Sequence, residues 1–152
     1  MWSKIVTPSF GDIDGLRHVN NCMLPVWFEL AREPVFRLFH PDLSYDRWQL
    51  IMARISVDFL AQMRLGADVE IRTSVRKIGR SSLTVHQEAW QNGEMAARGE
   101  AVIVHYDFAG RKSLPIPEDV REKLLEHMAP EGEAPARARP ARIAAAGRGQ
   151  RR

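Results

Sequence analysis

The spacing of hydrophobic and polar positions along this chain changes character twice. Between Cys22 and Phe39 the apolar residues recur at helical spacing, and Trp27, Leu30, Ala31 and Leu38 fall on one face of a predicted helix. Pro34 interrupts that pattern. Its nitrogen has no hydrogen to offer the carbonyl of Leu30, so a kink or break is expected there. From Leu50 the period becomes two. "LIMARISVDFLAQ" reads as a strand. In "ADVEIRTSVRK", Val69, Ile71, Thr73 and Val75 face one side while Asp68, Glu70, Arg72, Ser74 and Arg76 face the other, as in a half-buried strand. "IGRS" reads as a turn, "SLTVHQEAW" alternates again, and "QNGE" carries an Asn-Gly hairpin signal. "AARGEAVIVHYDF" is a third long strand, and its continuous apolar stretch predicts a central place. Lys4 to Phe10 predicts a short first strand, and "HPDLSYDRW" a loop. "IPEDVREKLLEHM" spaces Val120, Leu124 and Met128 four apart behind Pro117, which predicts a short amphipathic helix.

The predicted order is strand, helix, four antiparallel strands, small helix. A helix laid against an antiparallel sheet is an α+β arrangement. One helix does not cover a wide sheet of long strands, so an exposed strand edge and helix flank predict self-association.

At 152 residues, 45% hydrophobic and 27% charged, the chain is of a size and composition to bury one core. No apolar run is long enough to cross a bilayer, and "MWSKIVTPSF" lacks the apolar centre of a secretory signal. With Cys22 as its single cysteine the chain forms no internal disulfide, and a cytoplasmic location is expected. The net charge of +3 is unevenly spread: from Pro130 onward six Arg stand against two Glu, so the tail carries +4 and the body −1. The tail, "PEGEAPARARPARIAAAGRGQRR", has Ile143 as its one large aliphatic residue, too little apolar surface to offset the entropy of ordering. The expected organisation is therefore a folded domain over residues 1–129 and a disordered tail over 130–152. The tail has no aromatic residue for base stacking, so no nucleic-acid partner is expected.

The densest polar run, "FGDIDGLRHVNN" (Phe10 to Asn21), stands immediately before the predicted helix. Short polar side chains there serve as helix caps and Asx turns, which is the ordinary reading of Asp12, Asn20 and Asn21. The same place suits a reaction centre. A helix N-terminus offers free N–H groups and a positive partial charge to a developing oxyanion, and Asp14 supplies a carboxylate beside it. His18 is placed to orient Asp14, bind water or bond the backbone, and Asn20 and Asn21 to donate to a substrate.

This run and its order resemble the hotdog-fold thioesterases, most nearly the 4-hydroxybenzoyl-CoA thioesterase-like group. The resemblance lies in Asp12, Asp14, His18, Val19, Asn20 and Asn21, with weaker support from "IGRSSLTV", "GEAVIVHYD" and "PIPEDVREKL", and covers Lys4 to about Met128. It implies a long central helix wrapped by an antiparallel sheet of about five strands, with a small C-terminal helix. It also implies acyl-CoA hydrolysis, with Asp14 as nucleophile or general base and the backbone N–H near Asn21 polarising the carbonyl. By the same resemblance Lys77, Arg80, Ser81 and Ser82 contact the nucleotide end of coenzyme A, which enters as part of the substrate; no other cofactor and no metal are implied. The sheets of a dimer or tetramer would join edge to edge, with strand residues such as Asp58 facing Asp14 from the other chain. Three positions depart from the family's pattern. Arg17 stands where Gly is usual, Leu24 where Tyr is usual, and Leu16 where the carrier-protein branch has Asn.

Other readings are weaker. Cys22 is expected to pack as a small buried residue. Glu29 and Arg32 are expected to pair on an exposed helix flank. Trp27, Phe28, Phe36 and Phe59 line either the core or an acyl pocket. Neither Asp12, Asp14 and His18 nor His40 and Asp42 have the spacing of a recognised metal site, and no G-x-S-x-G elbow is present. The competing functions are a hotdog dehydratase or hydratase acting on 3-hydroxyacyl thioesters, whose signature is absent, and a non-catalytic acyl-thioester-binding protein.

Overall fold

The computed structural model describes residues 1–129; the expectation for the tail lies outside them. The strands are β1 (Trp2–Val6), β2 (Leu50–Phe59), β3 (Val69–Ile78), β4 (Ser82–Gln91), β5 (Glu94–Asp107) and the two-residue β6 (Lys112–Ser113). They form one antiparallel sheet in the order β1-β3-β4-β5-β2, with β6 pairing the projecting end of β5. The period-two pattern holds through the centre of the sheet. Val69, Ile71, Thr73 and Val75 are buried on β3, and Leu83, Val85, Gln87, Ala89 and Gln91 on β4. Register shifts at Met52/Arg54, Val75/Lys77 and Ala89/Trp90 mark irregularities of the kind that bend strands, and the sheet curls around the helices.

The first strand lies earlier than the predicted Lys4 to Phe10. Pro8 has no N–H for a ladder, and Phe10–Asp12 turn instead into a short 3-10 segment. There the Asp12 carboxylate accepts from the backbone N and Oγ of Ser9 at 2.7 and 2.8 Å.

The long central helix is replaced by two shorter ones, α1 (Met23–Ala31) and α2 (Glu33–Phe39), with Arg32 at the junction. The break precedes Pro34, which thereby occupies the first turn of α2, where a missing N–H costs nothing. α1 buries Leu24, Trp27, Phe28 and Ala31 against the sheet, and the two aromatics contribute roughly 2–3 kcal/mol each by burial. Leu30, expected on that face, is 50% exposed. Helix and sheet approach closely at Gly99, where a Cβ would lie 2.9 Å from the ring of Phe28. The third helix, α3 (Glu118–Leu125), inserts Val120 and Leu124 as its spacing predicts, and Met128 stays 39% exposed. Beyond α3 the backbone returns to β3: Val75 N–H donates to the His127 carbonyl and Ala129 N–H to the Val75 carbonyl, at 2.8 and 2.7 Å.

The apolar core is divided. One cluster gathers Leu24, Trp27, Phe28, Ala31, Ile71, Ala89 and Ala97, the other Val35, Val75, Leu83, Val85, Ile103, Val120 and Leu124. Between them, on successive elements, stand Arg32, Thr73 and Gln87, all buried. The expected surface pair of Glu29 and Arg32 is thus not formed. Glu29 is exposed, and the Arg32 guanidinium turns inward to donate from Nη1 to Oε1 of Gln87 at 2.9 Å. Gln87 Nε2 donates to the Phe28 carbonyl and to Thr73 Oγ1, at 2.8 and 3.1 Å. Burial holds the Arg32 guanidinium below its ordinary pKa, against a smaller opposing pull from Glu29.

Candidate active site

The polar run folds into a knot at one end of the sheet. Ile13 and Val19 bridge antiparallel, Asp14 N–H donates to the His18 carbonyl at 2.8 Å, and Arg17 N–H to the Asp14 carbonyl at 3.0 Å. Asp14 Oδ1 accepts two backbone N–H groups, from Leu16 at 2.8 Å and His18 at 3.3 Å. Among the described residues Oδ2 has no hydrogen-bond partner. The loop is anchored from outside by Val19 N–H on the Met63 carbonyl and Asn20 N–H on the Asp12 carbonyl, at 2.8 and 2.7 Å. Arg17 completes the turn with φ of 64°. That left-handed geometry is the physical reason a glycine is favoured at the position.

Asn20 is the cap. Its Oδ1 accepts from Cys22 N–H at 3.0 Å, and its carbonyl accepts from Met23 N–H at 2.9 Å. Asn21 is exposed, and its backbone N–H makes no hydrogen bond among the described residues. The His18 ring is half-buried and likewise has no hydrogen-bond partner there. Cys22, expected to pack, is exposed, because it stands outside the first turn of α1 rather than on its buried face. Trp27 and Phe28 are core, whereas Phe59 is 46% exposed on β2.

The structure brings Asp14, His18, Asn20 and Asn21 together, and separates them from the remaining predicted residues. Lys77, Arg80, Ser81 and Ser82 lie at the β3–β4 turn, at the far end of the sheet. The ten residues of β4 run between the two ends, about 30 Å at strand rise. The turn is braced by Gly79 N–H on the Ser82 carbonyl, His105 N–H on the Ser81 carbonyl and Ile116 N–H on the Arg80 carbonyl, at 2.7, 2.8 and 2.8 Å. Arg121 Nη2 adds a bond to the Gly79 carbonyl at 2.8 Å. Asp58 lies on the sheet face turned away from the helices. It accepts from Arg98 Nε at 3.2 Å and helps line a groove of about 230 Å³ with Arg54, Ser56, His86 and Glu100. Among the described residues no three His, Cys, Asp or Glu side chains are grouped to hold a metal ion. No helix of the described residues is long and apolar enough to cross a membrane.

A sheet curled around a two-part helix, with an Asx loop at the helix start, is the architecture of the hotdog-fold thioesterases. The chain belongs to the thioesterase-like superfamily, whose family profile matches residues 8–124. It is similar to a predicted thioesterase from Bacillus stearothermophilus, with 42% identity and a TM-score of 0.83, covering 86% of this chain and 98% of that one. A thioesterase from Thermus thermophilus, complexed with coenzyme A and Zn, shares 35% identity at a TM-score of 0.72, over 80% of this chain and 95% of that one. The uncharacterized protein YsmA of Bacillus subtilis (strain 168) is 25% identical over 121 residues, 79% of this chain and 82% of that protein.

Proposed function

We propose that the protein is an acyl-CoA thioesterase, releasing a carboxylic acid and coenzyme A with one water consumed. The observation that carries this reading is the state of the Asp14 carboxylate. Two backbone N–H groups fix Oδ1, while Oδ2 is without a partner among the described residues. A carboxylate so oriented is equipped either to attack a thioester carbonyl, forming an anhydride that water then opens, or to take a proton from an attacking water. The unbonded Asn21 N–H at the start of α1 faces the charge that develops on the carbonyl oxygen. The coenzyme A bound by the 35% identical Thermus thermophilus relative supports coenzyme A as the thiol.

The site is proposed to be shared between subunits. The edge of β2 has no strand partner outside β5 among the described residues, and the strand exposes Ile51, Met52, Ile55 and Phe59. Two-fold antiparallel pairing of these edges covers that apolar surface. It also sets the Asp14 end of one sheet beside the Arg80 end of the other. One ligand then meets both, which a single chain does not allow.

The test is thiol release from a panel of aliphatic and aromatic acyl-CoAs. Wild type is expected to turn over at least one of them, and Asp14→Asn to lose 10²-fold or more, on the order of general acid–base contributions, with an unchanged circular-dichroism melt. A variant that keeps near-normal turnover removes Asp14 from the chemistry.

A further inference from the structure

The hairpin joining β5 to β6 reaches past the rest of the sheet at the Arg80 end. β4 begins at Ser82, opposite Val104, and β5 runs three residues further, to Asp107. There it turns through residues 108–111 into Lys112 and Ser113, which pair back on Asp107 and Tyr106. The tip is held rigid from within. Asp107 Oδ1 accepts both Ala109 and Gly110 N–H at 3.0 Å, and a Cβ on residue 110 would collide with the same carboxylate. Arg111 takes φ of 50°. The one acid of the tip is thus occupied by backbone N–H groups, while Arg111 and Lys112 stand exposed beside the Arg80 turn. Among the described residues Lys77, Arg80, Arg111 and Lys112 have no carboxylate within salt-bridge distance. Phe108 is 49% exposed, its ring edge-on to Tyr106 at 5.2 Å.

A rigid tip carrying unneutralised cations and an exposed aromatic face fits a ligand that combines phosphates with a flat heterocycle. In the β2-to-β2 pair of the proposed function, on which this inference rests, β5 lies two strand spacings from the partner subunit's β2, about 10 Å, and the β4–β6 line about 15 Å. The tip therefore stands nearer the partner's Asp14 end than the β3–β4 turn does. We infer that the β5–β6 hairpin grips the nucleotide end of the thioester, with Arg111 and Lys112 on phosphates and Phe108 stacked on the base, completing the cation set begun by Arg80.

Calorimetric titration with coenzyme A and with pantetheine tests this on the full chain. The double variant Arg111→Ala/Lys112→Ala is expected to weaken coenzyme A binding about tenfold or more, with the loss shrinking as salt is added, while pantetheine binding is unchanged. Phe108→Leu is expected to weaken coenzyme A severalfold and Phe108→Trp to restore it, since stacking needs a π face rather than apolar area. Unchanged coenzyme A affinity in the double variant, or an equal loss for pantetheine, overturns the assignment whatever the activity. Hairpin-dependent coenzyme A binding in a wild-type protein that hydrolyses no acyl-CoA overturns the thioesterase reading and leaves the nucleotide grip standing.

Discussion

Arg32 and Gln87 meet in the middle of the core, Nη1 to Oε1 at 2.9 Å, under the point where the helix breaks. Arg32 Nε is buried there without a partner among the described residues. Among the described residues the cation faces no carboxylate within salt-bridge distance and is balanced instead by the polar seam and the carbonyl ends of α1. Gln87→Leu strands the guanidinium and removes the donor to Thr73 Oγ1, while the Phe28 carbonyl keeps the Arg32 backbone N–H at 3.1 Å. It is expected to cost about 2–3 kcal/mol in urea unfolding. Adding Arg32→Met to that variant should recover part of the loss, because an apolar pair of similar volume leaves no charge unpaired. Strict additivity of the two single changes would show that the residues are not coupled.

Arg17 holds a left-handed backbone that costs a non-glycine residue about 1–2 kcal/mol. Arg17→Gly relieves it but enlarges the freedom of the unfolded chain, so a net gain of up to about 1 kcal/mol is expected. Arg17→Val, β-branched in the same geometry, should lower stability and also turnover, because the turn it closes carries Asp14. Equal melting points for the Gly and Val variants would contradict the strain.

His40 is held neutral by its surroundings. Its Nε2 accepts Gln49 N–H at 3.1 Å, and its ring stacks on Trp48. Burial first, and then the neighbouring His105, lower its pKa, against a smaller pull from Asp42. The folded state thus resists a proton that the unfolded chain accepts below about pH 6.5. The stability this contributes is present above that pH and is lost as the pH falls toward the lower folded value. His40→Gln, which keeps an acceptor but does not titrate, should flatten the fall in Tm between about pH 7.5 and about pH 5.5. A slope identical to wild type would assign the acid sensitivity elsewhere.

Ile55 lies on the β2 edge, 50% exposed in the single chain. Ile55→Arg places a charge in the proposed subunit contact. It is expected to give a monomer in sedimentation velocity, with thiol release reduced in step with dissociation. A fully active monomer would refute the shared site.

Much of this fold was legible because β strands report themselves locally. Val69, Ile71 and Val75, like Leu83 and Val85, announce a buried face by alternation alone, and the Asp12-to-Asn21 run announces a helix start by residue type. Gln87 lies on the inner face of the same strand, buried with Leu83, Val85 and Ala89. Its partner was not legible, since Arg32 is 55 positions away and adjacent to Glu29 on any helical projection. Reading Arg32 as an exposed helical position ahead of the break expected at Pro34, rather than as the junction itself, turned a buried cation into a surface ion pair. Cys22 failed for a related reason: contiguity with an apolar run says nothing about a residue just outside the first turn. The residues of the Arg80 turn were legible as a turn. That they sit a full strand length from Asp14 follows only from the antiparallel path of β3 and β4.

That strand length has a genetic consequence. With the reacting carboxylate at one end of each sheet and the cationic turn at the other, the proposed dimer carries two composite sites, each drawing one end from each polypeptide. Asp14→Asn and Arg80→Ala then damage different halves. Mixed within one dimer, the two defects collapse onto one site and leave the other whole. Random reassortment of equal amounts makes about half the dimers hybrid, so two crippled alleles co-expressed should complement one another to about a quarter of wild-type activity at low substrate.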